Sequence, residues 1–470
     1  MTARSLVGTP LKRKEDGRLV AGRGRYLDDL VLPELLHLAI VRSPHAHADI
    51  TRIDLTAARA IDGVVAVLTR AELPELSGSV PPLVAEPKRR PYQHPVLAAE
   101  RVRHAGEAVA VVVARDSYHA ADGAAAVAVE YRPLEAATRV ATAVAGPIVQ
   151  PGWADNLFCT TVSTVGDATR GFTEAAFVER LQLAYPRVGG TPIEPRGVIA
   201  QPDPVADGMT VWTSTQVPFG VRAAIGSVLG IPEERVRVIV PEVGGGFGTK
   251  GHVYPEDVLI PAVARYLRRP VKWVETRREH LLTAAGDRDQ EHHARIGITR
   301  DGTITAIETR FTRDHGAYPT LGEAITLNTI NHLPGPYRVP NYRATADNIV
   351  THKTFLAAYR GAGRPEAAFV LDRLLDRVAR AGGLDPIELR RHNLIHASEM
   401  PYASGLSYRD GVPISYDPAD YVAAFDRMIE RLDYAAWRKE QAARRHTARP
   451  IGIGVSAYVE GTGLGPFEGA

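Results

Sequence analysis

Short apolar runs alternate with amphipathic stretches along the chain, a pattern that predicts strands interleaved with helices. LLHLAIVRS and AVAVVVA read as buried strands, the second entered through a turn at Gly106 and Glu107. AADGAAAVAVEY follows with helix-like spacing, and together these runs describe a small α/β unit up to about residue 135. Val140 to Gly152 is rich in Ala, Gly and Pro with weak periodicity, and reads as a linker. From about Asn156 to His392 a second, larger α/β region appears. MTVWTST has strand character, and VRAAIGSVLG places Val221, Ala224, Ile225, Val228 and Leu229 on one helix face before Gly230 and Pro232 stop it. The longest helix starts at Pro365, carries Phe369, Leu371, Leu374, Leu375 and Val378, and ends at Gly382–Gly383. An Arg/Glu-rich stretch near Trp437 to Arg449 and a last apolar run, IGIGVSAYVEG, lead into GTGLGPFEGA.

Composition narrows the function classes. The 470 residues are 45% apolar and 23% charged with a net charge of +2, which is ordinary globular composition of roughly three domains by length. A balanced charge gives no basic face for nucleic acid. Cys159 is the single cysteine, which rules out an internal disulfide and a thiolate-held iron–sulfur cluster within this chain, since such a cluster takes about four cysteines. MTARSLVGTPLKRKEDG has no apolar run after its basic residues, and no window approaches the ~20 apolar residues of a membrane span, so the expected location is the cytoplasm.

The chemistry concentrates in Val236 to Glu275, where Gly246, Gly248 and Gly251 satisfy G-x-G-x-x-G and Glu275 stands where a ribose-binding acid would. A dinucleotide turn leaves its strand directly into the glycines and enters its helix at the third. Here Pro241 interrupts the strand early and Pro255 opens the helix late, so the loop is too long at both ends. A Walker A reading fails as well, because Thr249 stands at the second glycine and Gly251 follows Lys250. What remains is a backbone stripped of side chains, with Phe247 in its middle, that either approaches an anion or a metal-bound oxygen closely or merely allows close packing. AAYRGAGRPEAAF repeats this grammar, with Gly361 and Gly363 before the Pro365 helix and Arg360 and Arg364 beside them, a pairing that suits a large phosphate-bearing cofactor.

IEPRGVIA, WTSTQVP, VGGGFGTK, RPVKW with ETRREH, and AYRGAGRPE occur in this order, and the set resembles the molybdenum-cofactor subunit of the xanthine dehydrogenase, aldehyde oxidase and aerobic carbon monoxide dehydrogenase family. GRGRYLDDL, AIVRSPHAHADI and GEAVAVVVA resemble that family's α/β hammerhead domain. The resemblance implies a mixed α/β (α+β) fold: a hammerhead domain over 1–138, a linker over 139–155, the first molybdopterin-binding domain over 156–395 and an extension over 396–470 toward a second such domain.

It also implies residue roles. Gln216 lies near the apical oxygen of the metal, the Gly245, Gly246, Phe247 and Gly248 backbone lies beside the cofactor, and Arg360 with Gly361 lies on the far side of the metal. Gly251 and Ala362 face the substrate pocket, and no side chain ligates the metal directly. The histidine pairs His45/His47 and His292/His293 read as structural or solvated.

Departures from the family pattern narrow the substrate. Gly251 replaces the acidic residue that follows the loop lysine in purine-oxidising members, Ala362 replaces their aromatic, and Asn328 stands near their purine-steadying arginine. Gly361 replaces the copper-bridging cysteine of carbon monoxide dehydrogenases. Xanthine and carbon monoxide are thus disfavoured, and an aldehyde or an N-heterocycle remains. Family subunits continue for about as long again, through a Gly-Gln-Gly pterin motif and a terminal glutamate general base, and neither Glu460 nor Glu468 takes that role. The chain is then a fragment or one half of a split subunit. Its expected partners are a second molybdopterin-binding chain, a [2Fe-2S] iron–sulfur subunit and an FAD subunit. An inactive scaffold is the competing reading, and a nicotinamide dehydrogenase ranks last.

Overall fold

In the computed structural model the chain is described over residues 6, 8–83, 90–408 and 411–461. Glu468 and most of GTGLGPFEGA lie outside the described residues.

Two sheets organise the molecule. The first has seven strands in the order Val236–Ile239, Gly208–Thr213, Gly197–Asp203, Val271–Val274, Leu36–Arg42, Ala108–Ala114 and Val64–Leu68. Its central seam is a short parallel pairing of Leu36 with Val271 and His37 with Lys272, so strands from both regions of the sequence share one sheet. Every residue of Ala108–Ala114 is buried, which is why this strand reads as a continuous apolar run rather than an alternating one. The helices Pro218–Leu229 and Pro255–Leu267 cover this sheet and fill the main core with Val221, Ile225, Val258, Leu259 and Val263. Pro218 and Pro255 sit in the first turns of those helices, where a missing N–H costs nothing.

The second sheet runs Leu157–Val165, Tyr342–Ile349, Ile304–Asp314, Gln290–Ile298 and Phe177–Tyr185. The Arg364–Gly382 helix buries Val370, Leu371, Leu374, Leu375 and Val378 against it, and Gly383 closes that helix in the left-handed conformation its sequence predicts. A three-stranded sheet of Arg101–Val102, Ala48–Asp54 and Ala128–Pro133 completes the N-terminal region.

Two local expectations change. The helix expected over AADGAAAVAVEY stops at Ala126, and Ala128–Pro133 pairs as a strand with Ala48–Asp54. Val129 and Tyr131 there alternate with Glu130 and Arg132 and suit a half-buried strand. The Val140–Gly152 stretch is packed rather than free: Val140, Ala143, Val149 and Gln150 are buried. The Asn156 amide ties the stretch down, accepting from the Val149 N–H at 2.9 Å and donating to the Ala143 carbonyl at 2.7 Å.

Candidate active site

The glycine loop leaves the Val236–Ile239 strand and reaches its helix only at Pro255. Glu194 fixes its start, because one carboxylate oxygen accepts from the Gly244 N–H at 2.7 Å, the Ser214 hydroxyl at 2.6 Å and the Lys250 ammonium at 2.8 Å. Burial opposes the charge on Glu194, but Lys250, Ser214 and the Gly244 N–H outweigh it and hold the carboxyl below its ordinary pKa. A Cβ on Gly244 would lie 2.4 Å from the Glu194 Cβ, so only glycine permits this approach.

Gln216 follows the Gly208–Thr213 strand and is exposed. Its backbone N–H donates to the Lys250 carbonyl at 2.9 Å. Its Oε1 accepts from the Gly248 N–H at 3.0 Å, which leaves Nε2 as the donor end of the amide. Arg360 closes the arrangement from the other side by donating its backbone N–H to the Phe247 carbonyl at 2.9 Å. The Arg360 side chain is exposed and forms no ion pair among the described residues. Phe247 is 46% exposed.

The three segments singled out in the sequence, WTSTQ, GGGFGTK and AYRGAG, are therefore joined by direct hydrogen bonds. Gly251 donates to the Gly248 carbonyl at 2.8 Å and closes the loop's turn. Ala362 donates to the Tyr359 carbonyl at 2.8 Å, and its own carbonyl accepts from Asn328 at 3.1 Å, so the Asn328 position does border the second loop. Strained backbone gathers here: Phe247 and Ala362 are non-glycine residues at φ 55° and 43°, between Gly245, Gly248, Gly361 and Gly363, which also have positive φ. Such conformations persist only where neighbours over-determine them.

Other sequence candidates fall outside this constellation. Glu275 is 2% exposed. It is bonded to Arg196 and to His280 Nδ1, the latter at 2.8 Å, so it is a core ion-pair partner and not a ribose ligand. Arg364 pairs with Glu460 at 2.9 Å. His47 stacks on His352 at 4.0 Å and His292 on Phe311 at 4.4 Å, both buried, while His293 is exposed. Among the described residues no group of three or more His, Cys, Asp or Glu side chains is placed to hold a metal. Sequence reasoning missed two supports. Glu194 and Lys250 lay inside the recognised motifs without a role, and the Asp287, Arg288, Arg313 and Glu366 cluster beneath Arg360 left no periodic signal.

Comparison with known proteins places the chain in a family. An aldehyde oxidase and xanthine dehydrogenase a/b hammerhead domain matches residues 21–135, and a molybdopterin cofactor-binding domain matches residues 149–394. The chain belongs to the xanthine dehydrogenase and aldehyde oxidase family. Within that family it is similar to the 6-hydroxypseudooxynicotine dehydrogenase complex subunit gamma of Paenarthrobacter nicotinovorans, 35% identical over 98% of this chain and 59% of the relative. It is also similar to the nicotinate dehydrogenase large molybdopterin subunit of Eubacterium barkeri, 30% identical over 79% of this chain and 85% of the relative. Among solved structures it resembles quinoline 2-oxidoreductase from Pseudomonas putida 86, with a TM-score of 0.86 and 36% identity over 93% of this chain and 56% of that one. The chain thus spans little more than half the length of the first and third of these. No helix among the described residues is long and apolar enough to cross a membrane.

Proposed function

We propose that this chain forms one wall of a molybdenum–pterin site in a hydroxylase that oxidises an aromatic N-heterocycle with water-derived oxygen. The observation that carries the reading is the direct bonding of Gln216, the glycine loop and the Arg360 loop into one exposed face. The residues present fit such a group: a Cβ on Gly246 would lie 2.4 Å from Gln216 Oε1, so the loop keeps a side-chain-free backbone against the amide. When bound, the group supplies a two-electron redox centre. The chain's own residues orient and stabilise charge. Gln216 Nε2 would donate to an oxygen on the cofactor, the exposed Arg360 guanidinium, which has no ion-pair partner among the described residues, would offer a positive charge, and the Gly245–Gly248 backbone would allow close approach.

An N-heterocycle is preferred to an aldehyde because the relatives above are named for nicotinate, quinoline and a hydroxylated nicotine derivative. Ala362 and Gly361 put little side-chain bulk on the Arg360 loop. Together with Gly251 and Asn328 they argue against xanthine, and Gly361 argues against carbon monoxide, since no thiol stands there to bridge copper. The general-base glutamate and the rest of the cofactor site belong to a further segment or a second molybdopterin-binding chain, with a [2Fe-2S] subunit and an FAD subunit carrying electrons away.

The test is dye-coupled oxidation by the complex purified on this chain, offered pyridine and quinoline carboxylates, aromatic aldehydes, xanthine and carbon monoxide. Turnover of heterocycles above the others is expected. Turnover of aldehydes alone, of xanthine or of carbon monoxide would overturn the substrate reading.

A further inference from the structure

Behind the Arg360 loop, the turn between Gly286–Asp287 and the Gln290–Ile298 strand holds two consecutive non-glycine residues in the left-handed region, Arg288 at φ 72° and Asp289 at φ 53°. Residues with a Cβ avoid this region unless their contacts compel it. The contacts around Arg288 converge on two residues, Tyr359 and Arg360. Arg288 Nη2 donates to the Arg360 carbonyl at 2.6 Å and Nη1 to the Tyr359 carbonyl at 3.2 Å. Asp287 Oδ2 accepts the Tyr359 N–H at 3.0 Å. The guanidinium is itself held by Asp287 at 3.3 Å and Glu366 at 3.4 Å, Asp287 is held by Arg313 at 2.8 Å, and all four charged side chains are at most 5% exposed.

Arg360 therefore has its backbone carbonyl on Arg288 and its backbone N–H on the Phe247 carbonyl of the glycine loop. We propose that Arg288 is a positioning residue that sets the Arg360 loop against the glycine loop and so places the Arg360 guanidinium on the reaction face. Arginine suits this task because its planar fork serves two carbonyls and two carboxylates at once, whereas a lysine ammonium is a single point donor on a flexible stem. The left-handed turn is the conformation that turns the fork inward. The loop-setting role rests on geometry alone, and only its consequence for the metal rests on the function proposed above.

Hydrogen exchange of the purified full chain tests it. Arg288→Lys keeps the charge and removes the fork. At least tenfold faster exchange is expected in peptides covering residues 244–251 and 357–363, with Ala108–Ala114 unchanged. Exchange in both loops within twofold of wild type would overturn the proposal. Should Arg288→Lys unfold the chain, seen as fast exchange throughout, Glu366→Gln takes its place, since it removes one anchor of the guanidinium but none of its carbonyl contacts. About threefold acceleration confined to the same two peptides would support the role, and no local change would refute it. In the native complex, Arg288→Lys is also expected to shift the molybdenum(V) paramagnetic resonance signal at unchanged metal content. A complex without molybdenum would remove the proposed function while leaving the exchange result intact.

Discussion

Two glycines of one loop, Gly246 and Gly248, carry opposite expectations when replaced by alanine. At Gly248 the new Cβ would lie 2.5 Å from the Ala358 carbonyl oxygen, and φ is 91°. Neither problem is solved by moving a side chain, because the obstacle is backbone. The left-handed conformation costs alanine about 1–2 kcal/mol. Parting the loops also weakens the Arg360 N–H bond to Phe247 and the Gly248 N–H bond to Gln216, at about 1 kcal/mol each. The sum is about 3–4 kcal/mol. At Gly246 the Cβ would meet only the flexible end of Gln216, at 2.4 Å from Oε1, and φ lies outside the left-handed region. That change swings Gln216 away, loses about 1 kcal/mol of hydrogen bonding and regains ~0.5 kcal/mol through a stiffer unfolded chain. Thermal and urea unfolding of the two variants separate these cases, with Gly248→Ala falling several degrees and Gly246→Ala staying near wild type. A Gln216→Ala background removes the obstacle at Gly246, so a double-mutant cycle is expected to give about 1 kcal/mol of coupling there and almost none between Gln216 and a distant core site. Equal destabilisation by the two alanines, or zero coupling at Gly246, would refute the loop geometry.

Other outcomes follow from the charges and the core. Glu275→Gln leaves Arg196 buried and under-compensated, and is expected to cost about 3 kcal/mol at neutral pH by denaturant unfolding. Burial opposes Glu275's charge, but Arg196 and His280 hold its carboxyl well below the glutamate value, so the contribution exists above the unfolded pKa and is lost as pH falls, and the gap between variant and wild type is expected to close in acid. Burial lowers His94, His252, His292, His315 and His352 to about 3. Unfolding lets each bind a proton around and below its ordinary value of 6.5, so stability levels off only in mild alkali and falls as pH drops through neutrality, by about 1 kcal/mol per histidine one unit below that value; an unfolding midpoint constant down to pH 5 would contradict this. Leu374→Ala, at a fully buried position of the helix on the second sheet, is expected to cost about 2–5 kcal/mol. Arg360→Met is expected to change stability by less than ~0.5 kcal/mol while lowering the molybdenum content of the complex at least threefold.

Much of this was legible where local chemistry decides structure. Pro365 and Gly383 bounded the long helix because proline suits a first turn and glycine a left-handed cap. Pro241 and Pro255 showed that the glycine loop was too long for a dinucleotide. The motifs grouped Gln216, Gly246, Phe247, Gly248 and Arg360 as the proposed site, and the structure joins their segments by hydrogen bonds. What stayed hidden depends on partners far apart in the chain. The pairing of Leu36 with Val271 that fuses the two regions has no local signature. Glu275 stands where a ribose-binding acid would and is a core ion, because its partners Arg196 and His280 meet it only in the folded state. Arg288 lies in GDRDQ, a polar string that reads as a surface turn, and its burial under Tyr359 and Arg360 follows from the fold alone.

The central claim is that the joined faces of Gln216, the glycine loop and Arg360 hold a molybdenum–pterin group together with a further segment. Metal and pterin analysis with mass spectrometry of the complex purified natively on this chain tests it most directly. Molybdenum and pterin are expected near one per chain, together with the remainder of the cofactor site, on this polypeptide or on another, and with iron–sulfur and flavin chains. A metal-free chain without these companions would contradict it and favour a scaffold with inherited shape and no chemistry.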